Sequence, residues 1–426
     1  MSGFRSYSLH VSPRAAFIAL GAAAVLFLGG CTSTKKQQQV FASVQADVAG
    51  LSGDRVVWNE NIDTDKLVTD EAWERLKSPL DANAAAQIAL LNSPDLQARF
   101  EEIGIAQADP MLEPLKGESA RQCLAAMQAR MTYEAIELIA QVKSAFYAYQ
   151  GDLQLRERLK VILQADQAGT DLTDKQKQGS NLNKVGALNQ QASVANAQIA
   201  LGEAQKDTIA AREKLNRLMG LSGAAIAWDA RPELPPLPEH DPGTAEAEIL
   251  ALDQRRDLRA LREETDAVGQ ALALKSNTHF LPASAGDARM PGQQSTDSTV
   301  EPELTIFDQG QGEVAKLATQ HRKLQQRLRS LGIQVESEAR EASRTLFVDR
   351  QQVEYFKKTV VPLNIATVNQ TLEQFNATQM KTDDLSLARQ RELEAERDYI
   401  GAWRDYWIAH SELEAAVGGN LNPPQP

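Results

Sequence analysis

Small and apolar residues recur with a fixed spacing in two segments of the chain. The first segment carries Ala197, Leu201, Ala204, Thr208, Ala211, Leu215 and Leu218, and the second carries Ala395, Tyr399, Ala402, Tyr406, Ala409, Leu413 and Ala416. Both follow a 4-3-4-3-4-3 spacing, and this period of 3.5 keeps one helix face against a neighbouring helix. One amphipathic helix on a globular core is the alternative. Each segment, however, follows a predicted helix of about fifty residues, roughly 75 Å long, which a compact domain would not bury.

Glycine and proline divide the rest of the sequence into predicted helices. They span residues 80–108 with an interruption at 92–94, 118 to about 168, 188–219, 245–275, 312 to about 375 with a dent at Pro362, and 382–417. Residues 169–186, with three glycines, predict a broken region, Gly220 and Gly418 end helices, and residues 56–58 predict a short strand. The predicted fold is mainly α, an elongated helical-hairpin bundle from two tandem repeats, with β-structure small or reduced to one short hairpin.

The chain is an internal duplication. Asp95-Leu96-Gln97-Ala98 with Glu101-Glu102 recurs 162 residues later as Asp257-Leu258-Arg259-Ala260 with Glu263-Glu264. Ala204, Ala211, Leu215 and Gly220 recur 198 residues later as Ala402, Ala409, Leu413 and Gly418, so the second copy holds a net insertion of 36 residues (198 − 162). The predicted units are an N-terminal segment (31–79), a first repeat (80–220), a proline-rich linker (221–245), a second repeat (246–420) and a tail (421–426).

Residues 1–30 predict a leader peptide. Arg5 and Arg14 make its start positive, and residues 15–28 are apolar but shorter than the roughly 20 residues that span a bilayer. The run ends in Leu28-Gly29-Gly30-Cys31, which resembles a bacterial lipoprotein signal, with an ordinary secretory signal as the alternative. We therefore expect cleavage before Cys31 and acylation of that cysteine. By resemblance to such lipoproteins, Thr32 in place of Asp favours sorting to the outer membrane. The predicted location is therefore lipid-anchored in the outer membrane and facing the periplasm.

Charge and composition exclude some functions. The formal net charge of −12 argues against nucleic acid, whose phosphates need Lys and Arg partners. An acidic surface is compatible with attracting cations, although most acidic proteins are only soluble. Cys123 is the only cysteine besides Cys31, which leaves no disulfide framework. No metal site is predicted, because no HxxxH pair links the five histidines His10, His240, His279, His321 and His410. No cofactor or catalytic set is predicted, because the sequence contains neither a G-x-S-x-G motif nor a P-loop.

Three motifs resemble outer-membrane efflux channels of the TolC type. Residues 90–98 (LLNSPDLQA) with 102–108 are similar to the start of a repeat in that family. Its strand-to-helix turn is similar to Ile306-Phe307-Asp308-Gln309-Gly310-Gln311. Its last helical hairpin is similar to residues 375–377 with 406–413. The resemblance covers about residues 45–420. It implies a homotrimer whose subunits add long helices to a periplasmic tube and strands to the outer membrane. It also implies helix tips that meet a periplasmic adaptor protein and an inner-membrane pump.

The spacing of the helices departs from the family pattern. The membrane strands should follow the first helices of each repeat, where this chain has only residues 109–122 and 276–308. The first gap, of fourteen residues, cannot hold two membrane strands of roughly 9–11 residues each. We therefore expect the first hairpin to be missing and the second to be shortened, with residues 300–307 as its better strand. The sequence predicts the helical tube but not a membrane pore.

Two breaks between long helices correspond at the offset of 198 and predict hairpin tips near residues 179–184 and 377–382. The resemblance implies that these tips contact the adaptor, and a solvated turn is the alternative. The candidate contact residues are Leu182, Asn183, Lys184, Met380, Lys381 and Thr382. Two interpretations stay open for Asp383 and Asp384: they cap the last helix, or they form a ring of carboxylates that attracts cations at the inner end.

These features together predict a duct that carries out no chemistry. It would be the outer-membrane and periplasmic component of a tripartite export system, with passive transport of small molecules or metal ions. A non-conducting periplasmic lipoprotein scaffold or binding protein with the same bundle is the alternative. The short gap after Ala108 favours the scaffold, whereas the near-complete set of helical motifs favours the duct.

Overall fold

The computed structural model describes residues 41–59, 62–108, 118–177, 184–278, 311–377, 379–380 and 382–421. The helices within these ranges are α1 (41–52), α2 (Ile62–Leu76), α3 (Ala82–Asn92), α4 (Pro94–Ala108), α5 (Glu118–Lys177), α6 (Lys184–Leu218), α7 (Thr244–Gln254), α8 (Arg256–Thr278), α9 (Gln311–Tyr355), α10 (Val361–Asn376) and α11 (Thr382–Val417). A π-helical segment, Phe356–Val360, joins α9 to α10. The mainly α prediction is confirmed, since the described ranges contain no strand. The leader with Cys31 and residues 279–310 lie outside them.

Most predicted helices are confirmed, with corrections to their ends. α11 spans the predicted residues 382–417, but α5 continues past Gly169 to Lys177 and α6 already begins at Lys184. The single helix predicted over residues 245–275 is wrong, because it is broken at Arg255 into α7 and α8. A Cβ atom at Gly169 would lie 2.7 Å from Nε2 of Gln190 on α6. The predicted break at Gly169 is therefore wrong, because this glycine gives α6 room to approach α5 and does not end the helix.

The predicted gaps between helices are also shorter than expected. α4 ends at Ala108 and α5 begins at Glu118, which leaves nine residues (118 − 108 − 1) and not the fourteen predicted. α8 ends at Thr278 and α9 begins at Gln311, which leaves 32 residues (311 − 278 − 1). Both segments lie outside the described residues. None of the described helices combines the length and apolar composition needed to cross a membrane.

The predicted dent at Pro362 is a π-helical segment in an otherwise continuous rod. Proline has no N–H to donate, and its ring crowds the carbonyl four residues earlier, that of Lys358. The wider π turn over Phe356–Val360 accommodates this conflict without ending the helix. The rod α9–α10 therefore stays helical from Gln311 to Asn376.

The predicted strand at residues 56–58 is wrong, although the segment is not helical either. Two glutamines bind its backbone from α3 and α4. Gln87 accepts a hydrogen bond from the Arg55 N–H at 3.0 Å and donates to the Arg55 carbonyl at 2.6 Å. Gln97 accepts from the Asn59 N–H and donates to the Val57 carbonyl in the same way. Side-chain amides thus satisfy the backbone groups that a partner strand would otherwise bind.

The long helices lie side by side in the order α6, α5, α11 and then α9–α10. α5 belongs to the first repeat and α11 to the second, so their antiparallel seam joins the two repeats. Both predicted apolar stripes are buried on this row, with Leu215 and Leu413 fully enclosed. The prediction of paired, closely packed rods is confirmed.

Both repeats end in the same kind of junction. Gly220 and Gly418 follow α6 and α11 with φ of +67° and +88°, a conformation that glycine adopts without steric cost. A Cβ at Gly220 would lie 2.3 Å from the carbonyl oxygen of Asn92, at the α3–α4 break, and one at Gly418 would lie 3.1 Å from Cα of Arg255, at the α7–α8 break. Each repeat therefore closes by docking its last helix end on the break between its first two helices.

The proline-rich linker is bound along the long helices. Gln150 on α5 donates to the carbonyls of Arg231 and Glu233, while Trp403 and Trp407 on α11 both donate to the Pro235 carbonyl at 3.0 and 2.9 Å. At the start of the linker, the buried Trp228 donates a hydrogen bond to Asn216. The Arg212 guanidinium lies over the Trp228 ring, 4.5 Å from the ring centroid. Further along, Arg350 on α9 donates to the Pro238 carbonyl at 2.7 Å. The linker therefore ties both repeats together.

Candidate functional site

The two predicted tips lie at the same end of the molecule. α5 ends at Lys177 and α6 begins at Lys184, while α10 ends at Asn376 and α11 begins at Thr382. Along the antiparallel α5–α11 seam, the residue numbers of contacting pairs add up to between 554 and 557. By that register, Lys177 is level with residues 377–380. The helix ends that flank the two predicted tips therefore lie at one end of the row.

The structure locates only some of the predicted tip residues. Met380 is exposed, Lys184 and Thr382 are the first residues of α6 and α11, and Asp383 and Asp384 lie in the first turn of α11. Leu182, Asn183 and Lys381 lie outside the described residues. Adaptor contact and cation attraction at this end stay predictions.

The outer face of α6 is an apolar surface that the sequence analysis missed. Leu188, Ile199 and Ile209 are 64%, 61% and 64% exposed. With Ala192, Ala195 and Gly202, they follow the same 4-3 spacing as the buried stripe, interrupted only at Lys206. This second 4-3 series in the sequence could have indicated an apolar surface on the outer face of α6. Since α6 is the first helix of the row, no other described element covers this face.

The second repeat shows how such a face is used. Ala195 and Ile209 of α6 correspond, at the offset of 198, to Leu393 and Trp407 of α11. Those two side chains are buried, and the Trp407 ring lies 5.0 Å from the ring of Tyr147 on α5. α11 is therefore covered on both sides, whereas the corresponding face of α6 is open.

The opposite edge of the row also carries exposed apolar residues. Val348, Tyr355 and Leu363 lie on the outer face of α9–α10 and are all exposed. The inner face of the same rod is buried through Leu346 and Val353. The row thus ends in two different apolar faces, here called the α6 edge and the α9–α10 edge.

Two grooves of the same construction lie at the duplicated junctions. The repeat-1 groove, about 370 Å³ in volume, is lined mainly by Ser93, Asp95, Arg99, Glu134, Lys214 and Arg217. The repeat-2 groove, about 450 Å³, is lined mainly by Tyr133, Arg255, Asp257, Glu338, Glu341 and Glu412. Several lining positions of the two grooves correspond through the internal duplication. The grooves differ in charge, because the repeat-1 groove contains Lys and Arg side chains whereas most charged side chains of the repeat-2 groove are carboxylates.

Arg255 organises the repeat-2 groove. Its guanidinium pairs with Asp257 at 2.7 Å and Glu338 at 2.8 Å and lies 5.5 Å from the Tyr133 ring. Burial, reinforced by Glu137, raises the pKa of the Tyr133 hydroxyl to about 12, so it stays protonated. The charged side chains of this groove therefore neutralise one another. Within the described ranges, no three His, Cys, Asp or Glu side chains are arranged to hold a metal ion.

A buried ion pair crosses the seam between the repeats. Lys143 on α5 and Glu414 on α11 are 2.9 Å apart, with side chains only 8% and 13% exposed. Burial raises the pKa of nearby Asp54, and Lys143 opposes that rise. Burial lowers the pKa of His410, which packs 5.1 Å from the Trp407 ring. This cluster holds α5 against α11 and lies away from either edge of the row.

No protein-family model matches the sequence, and no curated protein is similar to it. Solved structures do match. The outer-membrane protein VceC of Vibrio cholerae is 14% identical with a TM-score of 0.62, covering 80% of this chain and 97% of that one. The outer-membrane channel OprN is 15% identical with a TM-score of 0.64, covering 82% and 92%. The outer-membrane channel CmeC of Campylobacter jejuni is 13% identical with a TM-score of 0.56, covering 92% and 88%.

These likenesses define the fold. The chain has the TolC-like helical-hairpin fold of outer-membrane channels, and it spans nearly the whole length of the structures that it matches. The resemblance seen in the sequence motifs is therefore confirmed for the architecture. Two of the three similar structures are described as channels.

Proposed function

We propose that this protein is the duct of a tripartite export system, placed at the outer membrane and extending into the periplasm. Small molecules or metal ions would pass through it unchanged. The observation that supports this most strongly is a row of long helices that ends in two exposed apolar edges, on a fold shared with outer-membrane channels. Since the two edges differ, copies join head to tail, and such contacts close into a ring. A homotrimer is the proposed ring.

The tips are the proposed docking end for an adaptor protein and, beyond it, an inner-membrane pump. Both hairpins turn at the same end, so a ring would present six turns, two from each of three copies, at one rim. The exposed Met380 provides an apolar contact there. Leu182, Asn183, Lys184, Lys381 and Thr382 complete the proposed contact surface.

Anchoring is proposed to depend on Cys31. Replacing it with serine (Cys31→Ser) is expected to move the protein from the outer-membrane fraction to the soluble periplasmic fraction, because the acyl chains supply the membrane affinity. Immunoblots of fractionated cells measure this. Cys123→Ser is the matched control and should stay with the membrane. Retention of the Cys31→Ser protein in the outer membrane would contradict the lipid anchor.

The two interpretations of Asp383 and Asp384 can be separated by one double substitution. Asparagine caps a helix as well as aspartate does, so Asp383→Asn with Asp384→Asn removes charge with little loss of stability. If the carboxylates form a ring at the aperture, the ratio of cation to anion permeability should fall several-fold in bilayer recordings. An unchanged ratio with a normal melting temperature would leave capping as their only role.

Reconstitution in planar bilayers tests the proposed function itself. The purified, lipidated oligomer is expected to produce discrete conductance steps. A non-conducting scaffold is the second candidate, and the nine-residue connection between α4 and α5 favours it, since two membrane strands of roughly 9–11 residues each need more chain. A ring-shaped oligomer that gives no conductance would replace the duct with the scaffold.

A further inference from the structure

The α5–α11 seam within each chain is a model for the contact between two copies. We infer that the α6 edge of one copy packs on the α9–α10 edge of the next copy in the register of the α5–α11 seam. Ile209 would then lie against Phe347, and Ala195 against Leu363. This inference rests on the proposed ring, and it adds to the ring a specific pairing of residues.

The first step is the equivalence of the helices. α6 corresponds to α11 at the offset of 198. α5 corresponds to α9 at an offset of 200, which carries the buried Ile139 and Phe146 onto the buried Ala339 and Leu346. The π-helical segment between α9 and α10 adds one residue, so the offset is 201 for α10. Within one chain, α11 of the second repeat packs on α5 of the first. The same contact between α6 and α9–α10 is missing in a single copy, and a second copy supplies it.

The second step is the register. The α5–α11 seam pairs Tyr147 with Trp407 and places Gly151 under Arg404. Moving α11 back by 198 and α5 forward by 200 converts the first pair into Ile209 and Phe347. Both side chains are exposed in the single chain. Residue numbers across the new contact should therefore add up to between 556 and 559 on α9 and between 557 and 560 on α10.

The apolar positions of the two edges agree with this register. Gly202 is level with Tyr355, which is exposed, so the absence of a side chain on α6 leaves room for a large ring. Further towards the tips, the small Ala195 is level with the exposed Leu363. At these two levels a large residue on one edge meets a small one on the other, which lets the helices pack closely.

The grooves give independent support at the other end of the row. Three positions of the repeat-1 groove, Glu134, Leu138 and Gln141, recur 200 residues later in the repeat-2 groove as Gln334, Glu338 and Glu341. Tyr133 of α5 adds a further wall to the repeat-2 groove. Its counterpart on α9 is Ile333, which is 62% exposed. The repeat-1 groove lacks such a wall within one chain, and Ile333 of the next copy would provide it.

Disulfide trapping tests the register with four sites. In full-length lipidated protein carrying Cys123→Ser, the pairs Ile209→Cys with Phe347→Cys and Ala195→Cys with Leu363→Cys are expected to cross-link under mild oxidation. The exchanged pairs, Ile209→Cys with Leu363→Cys and Ala195→Cys with Phe347→Cys, use the same sites but are shifted by about fifteen residues, roughly 22 Å along a helix. A disulfide needs Cα atoms about 4.4–6.8 Å apart, so these pairs should cross-link at least tenfold less.

Mixing two single variants, one with each cysteine, shows that the bond forms between copies. Non-reducing gels should then show a covalent dimer for Ile209→Cys mixed with Phe347→Cys. Native mass spectrometry of the same samples tests the proposed ring separately from the proposed register. An intact oligomer in which the exchanged pairs cross-link as well as the matched pairs, or in which neither does, would overturn the register and leave the proposed function standing. A monomer would overturn both.

Discussion

Replacing Lys143 with methionine is expected to lower the free energy of unfolding by about 3–5 kcal/mol, because it leaves the buried Glu414 carboxylate without its partner. The two side chains are only 8% and 13% exposed and lie 2.9 Å apart. Asp54, whose pKa burial already raises, would also lose the cation that opposes that rise. Urea unfolding at fixed protein concentration, followed by circular dichroism, measures the change.

Two further variants show whether burial is the cause. Lys77→Met breaks the pair of Lys77 with Glu74, whose side chains are 65% and 70% exposed, and it should cost at most about 0.5 kcal/mol. Glu414→Leu added to Lys143→Met removes the unpaired charge and should restore most of the stability. If Lys143→Met is no more harmful than Lys77→Met, the seam between the repeats does not depend on this pair.

Gly220→Ala is expected to destabilise the protein by about 2–5 kcal/mol. Roughly 1–2 kcal/mol comes from placing alanine in the left-handed conformation, and about 1–3 kcal/mol comes from overpacking. The new Cβ would lie 2.3 Å from the Asn92 carbonyl oxygen and 2.9 Å from Cδ of Pro94, so the α3–α4 break has to move. The change in melting temperature and in urea midpoint reports the loss.

Gly223→Ala is the matched control for backbone strain. Gly223 has φ of +60°, close to the +67° of Gly220, but a Cβ there has no atom within 4 Å. It should therefore cost only the left-handed term, about 1–2 kcal/mol. Equal losses for both variants would mean that the docking of α6 on the α3–α4 break contributes little.

The sequence predicted the rods well because their signals are local and repeated. The 3.5-residue stripes, the glycine stops at Gly220 and Gly418, and the dent at Pro362 each act through neighbouring residues on the same helix. Their burial and conformations in the structure agree with the expectation. The duplication helped, since two copies of one pattern seldom arise by chance.

The errors came from residues whose role is set by distant contacts. Gly169 looked like a helix breaker, but Gln190 on α6 occupies the space beside it. The strand predicted at residues 56–58 has no partner strand, because Gln87 and Gln97 bind the backbone of that segment. α1 and α2 were not predicted. Neither local periodicity nor composition reveals such tertiary contacts.

In the candidate site, too, the local features were predictable from sequence and the tertiary ones were not. The turns at the ends of α5 and α10 could be located from sequence because helix ends are local features. The α6 edge was missed, since an exposed stripe and a buried stripe have the same spacing in sequence. Only the structure shows that Leu188, Ile199 and Ile209 have no cover in a single chain.

Electron microscopy of the full-length lipidated protein in detergent tests the central claim most directly. We expect end-on views of a closed ring of helices around an open centre. Side views should be at least as long as α5, which has 60 residues and so extends about 90 Å. A solid, compact particle containing a single copy would contradict the tube and the pairing of the two edges.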